Sequence, residues 1–129
     1  MADYSLERID DIEAIAGGAF KRVRAALGGT AFGIQVLDLP PTTDAYPQHD
    51  HSDGQEEFYV TLRGGGAIEI DGERHPLTPD LIVRVGPGTS RKLLPGPEGA
   101  RVLAVGGYPG KPYQAPEFTE LGGPDPFAV

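Results

Sequence analysis

Glycine and proline interrupt this chain at short intervals, which favours many short strands over long helices. There are 19 Gly and 13 Pro among 129 residues. Between them, apolar and polar residues alternate as in half-buried strands. Phe32, Ile34 and Val36 show this pattern, and residues 57–63 place Phe58, Val60 and Leu62 on one face. We predict about eight short strands, and therefore an all-β antiparallel sandwich or barrel.

The other predicted elements are short. Residues 68–75 read as a hairpin that turns at Asp71-Gly72. Further strands are predicted at 81–85, 91–94 and 102–105. Near the start of the chain, apolar residues three apart predict a short helical segment over 5–16, and residues 19–28 fit a helix or a strand equally well.

The length predicts a single domain over residues 1–129. We expect an N-terminal segment over 1–29, a barrel core over about 30–106, and an extended C-terminal tail over 107–129. The tail contains four aromatic residues, so we expect it to pack on the barrel. These residues are Tyr108, Tyr113, Phe118 and Phe127.

The charge of the chain disfavours some classes of partner, and its composition excludes cysteine chemistry. The formal net charge is −8, which disfavours nucleic acid and anionic membranes, because both need basic patches. The chain has no cysteine, so disulfides and thiolate ligands are excluded. It shows no apolar leader and no long apolar run, so we expect a cytoplasmic protein with no membrane partner.

Two of the three histidines, His49 and His51, lie one residue apart. On an extended strand such residues point to the same face. With a carboxylate a few residues later, they predict a two-histidine, one-carboxylate site for a transition metal. The third histidine, His75, lies in the predicted hairpin, and we interpret it as a surface or strand residue.

These residues resemble two motifs of the cupin superfamily. The first motif is Gly, five residues, His-x-His, three or four residues, Glu, six residues and Gly; here His49, His51, Glu57 and Gly64 match most of it. The second is Pro-x-Gly, two residues, His, three residues and Asn, and it falls on residues 86–95. The resemblance implies a double-stranded β-helix, or jelly-roll barrel, around a metal or ligand pocket.

The first motif departs from the family pattern on both sides of the histidine pair. Thr43 stands at the position of the first Gly, and five residues separate His51 from Glu57. Gln55 and Glu56 fit the count from the histidines and stay open as alternatives, whereas Glu57 fits the count to Gly64. We favour Glu57, because the longer spacing crosses a loop, where insertions are tolerated.

The second motif departs further, with Gly86 for its first Pro, Pro95 for its Asn and Arg91 for its histidine ligand. Arginine offers only hydrogen-bond donors and stays protonated, so it cannot ligate a metal. Three roles for Arg91 stay open. It could ion-pair with Glu57, bind a carboxylate or phosphate of a substrate, or turn to solvent.

The resemblance implies that His49, His51 and Glu57 hold Fe, Mn, Ni or Zn and leave positions open for a small molecule. The residues expected in the pocket are Arg91, Tyr59, Gln55, Glu56 and Tyr46, and packing alone is the alternative for both tyrosines. Dioxygenase, isomerase and decarboxylase activities are all compatible with it. The alternative is a metal-free barrel that binds a small anion or is only structural. A homodimer is expected.

Overall fold

A computed structural model describes residues 2–128 as one antiparallel sheet of seven strands. One α-helix, α1 (Val23–Leu27), and three 3₁₀ turns, Ile9–Asp11, Ala16–Gly18 and Glu117–Thr119, accompany it. The strands are β1 (Ala14–Ile15), β2 (Phe20–Lys21), β3 (Gly33–Leu39), β4 (Glu56–Ile70), β5 (Glu73–Leu77), β6 (Ile82–Val85) and β7 (Arg91–Gly107). The predicted all-β class is confirmed.

The two long strands, β4 and β7, form the backbone of the sheet. They pair with each other along most of their length. The first half of β4 also pairs with β6, and its second half pairs with β5. The last half of β7 also pairs with β3. Tyr59 and Ile68, from opposite halves of β4, belong to one buried cluster together with Leu37 of β3. A flat sheet could not bring these faces together, so the sheet is rolled around its core.

Two register shifts separate the halves of β4, one between Thr61 and Arg63 and one between Gly64 and Gly66. Each bulge changes which residues face inward. Before the bulges Tyr59 and Thr61 are buried, and after them Ile68 is. The predicted strands at 91–94 and 102–105 are two halves of the single strand β7.

The predicted hairpin is confirmed. Strands β4 and β5 pair from Gly66↔Leu77 to Ile70↔Glu73. The two turn residues, Asp71 and Gly72, have φ of 52° and 84°. Positive φ at both positions is the signature of the type I′ turn that matches the twist of the strands.

The predicted helix over 5–16 is wrong. That segment contains one 3₁₀ turn, Ile9–Asp11, and strand β1. Its apolar residues do not share one buried face, because Ile12 packs against α1 and β3, Ile15 enters the main core, and Leu6 is exposed. The helix of the N-terminal segment is α1, which ends at Gly28 in the left-handed conformation.

The C-terminal tail packs on the barrel. Phe118 and Phe127 contact the main core. The buried guanidinium of Arg22 donates to the carbonyls of Phe118 (2.8 Å), Gly123 (3.1 Å) and Pro124 (3.0 Å). These bonds tie the tail to the N-terminal segment. Among the described residues, no helix is long and apolar enough to span a bilayer.

We expect Gly66→Ala to destabilise the fold strongly. A Cβ at this position would overlap the carbonyl oxygen of Leu94 and lie 2.6 Å from the nitrogen of Gly96, both backbone atoms. Gly72→Ala is the matched control, because Gly72 also has positive φ but has nothing within 4 Å of its Cβ. Urea unfolding should give a loss of about 1 kcal/mol for Gly72→Ala and clearly more for Gly66→Ala. Equal losses would contradict the steric argument.

Candidate metal centre

The histidine pair is held by backbone contacts to the start of β7. The His49 N–H donates to the Arg91 carbonyl and the Arg91 N–H donates to the His49 carbonyl, both at 2.9 Å. The His51 carbonyl accepts from the N–H groups of Gly54 and Gly88, each at 3.2 Å. The two imidazole rings meet edge to face with centroids 5.2 Å apart. The backbone thus presents both rings to the same space.

Glu57 completes this cluster from the inward face of β4. Its Oε1 lies 3.6 Å from His49 Nε2 and 3.4 Å from His51 Nε2. Ligands bound about 2.1 Å from a tetrahedral ion are about 3.4 Å apart. Each histidine nitrogen therefore lies at about the spacing of adjacent ligands from the Glu57 oxygen.

Two further observations fit a metal. His51 Nε2 is buried and makes no hydrogen bond among residues 2–128, although Glu57 Oε1 lies 3.4 Å away. A buried nitrogen without a hydrogen bond is costly unless something binds it. His49 Nδ1 lies 3.2 Å from the Pro47 carbonyl. A proton on Nδ1 can donate to that carbonyl, which leaves Nε2 free as a ligand. The residues present thus fit a divalent transition ion.

Arg91 points into the barrel and is fully buried, which rules out its solvent-facing alternative. Its Nη2 donates to Glu57 Oε1 at 3.0 Å, its Nε to the Tyr59 hydroxyl at 3.0 Å, and its Nη1 to the Thr89 carbonyl at 2.8 Å. Tyr59 also donates to Glu57 Oε1. Every nitrogen of the guanidinium is therefore engaged within the protein.

This network keeps Glu57 ionised. Burial by itself raises the pKa of the Glu57 carboxyl. The adjacent imidazoles and the Tyr59 hydroxyl lower it by more, so the pKa lies well below its usual range. Burial and the Glu57 charge together raise the pKa of Tyr59. Burial lowers the pKa of Arg91, but Tyr59 and Glu57 outweigh this and raise it. The arrangement is a carboxylate, a neutral phenol and a guanidinium cation.

The side chains of the three candidate ligands Gln55, Glu56 and Glu57 occupy different places. Gln55 is buried, and its Nε2 donates to Glu57 Oε2 at 3.4 Å. A Cβ at Gly106 would lie 2.6 Å from that Nε2, so the glycine makes room for it. The expectation of Glu56 in the pocket is wrong. Its carboxylate accepts from Arg84 Nε at 2.5 Å on the outer face of the sheet, because adjacent strand residues face opposite sides.

A cavity of about 330 Å³ adjoins the cluster. Tyr46 lines it, as expected, and its ring packs edge to face on His49 with centroids 6.0 Å apart. Burial raises the pKa of Tyr46. Tyr59 and Arg91 contact Glu57 but are not part of the wall of this cavity, so the expectation that they line it is wrong. His75, in β5, is a half-exposed strand residue.

The sequence interpretation missed several residues of the cavity wall. Phe118 and Phe127 come from the tail, and Gln35 comes from β3. The aromatic content of the tail was the available signal for the first two, but it does not say where the tail docks. Gln35 follows Gly33 and precedes Leu37 on the inward face, and no pattern distinguishes it from an ordinary strand residue.

We expect Glu57→Ala to cost about 3–5 kcal/mol of unfolding free energy, because it leaves the buried Arg91 guanidinium without its counter-charge. The neighbouring residue provides a matched control. Glu56 pairs with Arg84 near the surface, where half of the arginine side chain is exposed, so Glu56→Ala should cost about 1 kcal/mol or less. Urea unfolding in EDTA measures both.

The double variant Glu57→Ala/Arg91→Met supplies the second arm of this test. Removal of both charges should recover most of the loss, because neither buried charge is left unpaired. If the loss of unfolding free energy in the double variant equals the sum of the losses in Glu57→Ala and Arg91→Met, the two residues are not coupled.

Comparison with known proteins agrees with this fold. A family model described as a cupin domain matches residues 35–106. A cupin protein from Bacteroides fragilis superposes with a TM-score of 0.71 at 22% identity, over 92% of this chain and 95% of that chain. A sugar phosphate isomerase of the cupin superfamily from Silicibacter pomeroyi gives 0.59 at 23% identity, over 77% and 68%. KdgF from Halomonas sp. gives 0.58 at 11% identity, over 69% and 74%.

No curated protein matches the chain by sequence, and the identities to the solved structures are low enough that they inform only on the fold. The family model spans more than half of the chain, and the rolled antiparallel sheet is the one its members share. The predicted resemblance is therefore confirmed, and this chain belongs to the cupin family.

Proposed function

We propose that this protein is a small metal-dependent cupin that binds one divalent transition metal through His49, His51 and Glu57 and holds a small molecule in the adjoining cavity. One observation carries the proposal: the three ligand atoms lie within 4.8 Å of one another. Three protein ligands leave positions open for water or a bound molecule, as in catalytic sites.

The protein residues have separate roles in this proposal. The Pro47 carbonyl orients the His49 ring, and the backbone pairing with Arg91 fixes the position of His49. Arg91 and Tyr59 hold the Glu57 carboxylate in place. A bound ion would supply Lewis-acid polarisation of an oxygen or a position for oxygen activation. Nitrogen and oxygen ligands accept Fe, Mn, Ni and Zn.

The reaction class is a finer proposal. Dioxygenase and isomerase-type chemistry both use an open metal position beside a bound small molecule. One of the similar structures is described as a sugar phosphate isomerase, which supports the isomerase class only through the shared fold. Because the same fold hosts many activities, the site residues and the cavity are the better guide.

A specific observation favours a second candidate, a metal-free cupin that binds a small molecule. Arg91 stands where the family has its last histidine, and it donates to the carboxylate that the metal would need. A fixed cation near a dication is also unfavourable. In this second function His49, His51 and Glu57 would serve as polar contacts of the bound molecule.

We expect tag-free protein, after incubation with Fe, Mn, Ni or Zn under exclusion of oxygen and then desalting, to retain about one equivalent of one of them. The double variant His49→Ala/His51→Ala should retain none, because it lacks two of the three ligands. His75→Ala is the matched control, because His75 lies in β5 outside the cluster. Elemental mass spectrometry measures the stoichiometry.

Two outcomes of that experiment would contradict the metal proposal. The first is an unchanged metal content in the double variant with its fold intact by circular dichroism. The second is the absence of metal in the parent protein under every condition, which supports the metal-free function instead.

We expect Arg91→His to tighten metal binding by roughly tenfold or more, because it removes a fixed cation and supplies a fourth ligand where the family has one. Arg91→Leu separates the two effects, since it removes the cation without adding a ligand. Competition titrations against a chelator give the affinities. Equal affinities for Arg91→His and Arg91→Leu would show that residue 91 does not reach the metal.

A further inference from the structure

The cavity beside the cluster is mainly apolar. Apolar side chains from the barrel, the loop before His49 and the tail form much of its wall. They include Phe20, Leu37, Tyr46, Ala104, Phe118 and Phe127. A volume of about 330 Å³ lies at the small end of the range for ligand sites. The cavity therefore suits a molecule of about ten non-hydrogen atoms with substantial apolar surface.

Besides His51 Nε2, a second polar atom on this wall lacks a hydrogen-bond partner within residues 2–128. Gln35 is more than nine-tenths buried, and its Nε2 has no hydrogen-bond partner among the described residues. Its Oε1 accepts from the Val23 N–H at 3.0 Å. That bond fixes the amide orientation, because an N–H cannot donate to Nε2. A buried donor without a partner is costly unless a bound molecule accepts from it.

The charge of the lining is negative. Asp50 and Asp53 at the rim and Glu57 at the cluster contribute carboxylates. Among residues 2–128, no Lys or Arg lines the cavity. The nearest buried cation, Arg91, is engaged by Glu57, Tyr59 and Thr89. A divalent ion on the three ligands would offset two of the three negative charges. An anion would therefore meet no protein cation and an unfavourable field.

From these observations we propose that the cavity binds a small uncharged molecule that is largely apolar and carries one hydrogen-bond acceptor, such as a carbonyl, for Gln35 Nε2. Sugar phosphates and other anions are the class that it rejects. The inference rests on the proposed function for the cluster at which such a molecule would react. The binding of this molecule to the cavity does not require the metal.

The test uses three aromatic probes of similar size on EDTA-treated protein. Acetophenone is uncharged and has a carbonyl, ethylbenzene has no acceptor, and benzoate is an anion. Titrations followed by ¹H–¹⁵N NMR should show saturable binding of acetophenone, with the side-chain amide of Gln35 and the backbone amide of Ala104 shifted. Ethylbenzene should bind roughly fivefold more weakly. Benzoate and glucose 6-phosphate should bind at least about tenfold more weakly than acetophenone.

Gln35→Glu tests the donor itself. It keeps the acceptor for the Val23 N–H and replaces the amide donor with a carboxylate that is ionised above its pKa, so the titration is run at pH 8. The preference for acetophenone over ethylbenzene should disappear. Gln114→Glu makes the same chemical change on an exposed residue of the tail and should leave the preference intact.

Several results would overturn the inference. These are tighter binding of benzoate or glucose 6-phosphate than of acetophenone, no saturable binding of acetophenone at millimolar concentration, and an unchanged preference in folded Gln35→Glu. The probe series on the parent protein decides the question even if that variant does not fold. If the protein binds no metal but binds the probes in the expected order of affinity, the proposed function is wrong and this inference stands. If the protein binds metal but prefers benzoate, only this inference is wrong.

Discussion

The buried ion pair between Arg91 and Glu57 is the constraint on which the site depends. A fully buried guanidinium is stable only if its charge and its donors are matched, and here a carboxylate, a phenol and a backbone carbonyl match them. The pair joins β4 to the start of β7. Backbone pairing of Arg91 with His49 extends this connection to the histidine loop. Arg91 thus positions two of the three candidate ligands, Glu57 and His49.

The sequence predicted the parts of this arrangement that local rules govern. The spacing of His49 and His51 places both on one side, and Asp71-Gly72 forms the expected turn, because neighbouring residues determine each feature. The choice of Glu57 over Glu56 also agrees with the geometry, since the count to Gly64 runs along one strand. Which role Arg91 takes could not be predicted, because it depends on a partner 34 positions away.

The inward face of β4 shows why pattern alone was insufficient. Phe58 and Leu62 are partly exposed, whereas Tyr59 and Thr61 are buried. A purely hydrophobic reading would turn the strand over and bury the apolar residues. The face that carries Glu57 and Tyr59 is inside, because both side chains bond to the buried Arg91 guanidinium there, and the apolar residues of the other face are left at the surface. Local preference and global structure disagree most where a protein builds a functional site.

In the metal-dependent function a metal ion would compete with Tyr59 and Arg91 for the lone pairs of the Glu57 carboxylate, whereas in the metal-free function it would not. Oε1 accepts from both Tyr59 and Arg91 and is also the oxygen that faces the two histidines. A carboxylate oxygen has about two lone-pair sites, so a metal at Oε1 must displace one donor or bind through Oε2, where Gln55 is a weaker contact at 3.4 Å. At the proposed metal site, the network that holds Glu57 in place would therefore limit the metal affinity, and a change at residue 91 would act on both the network and the affinity.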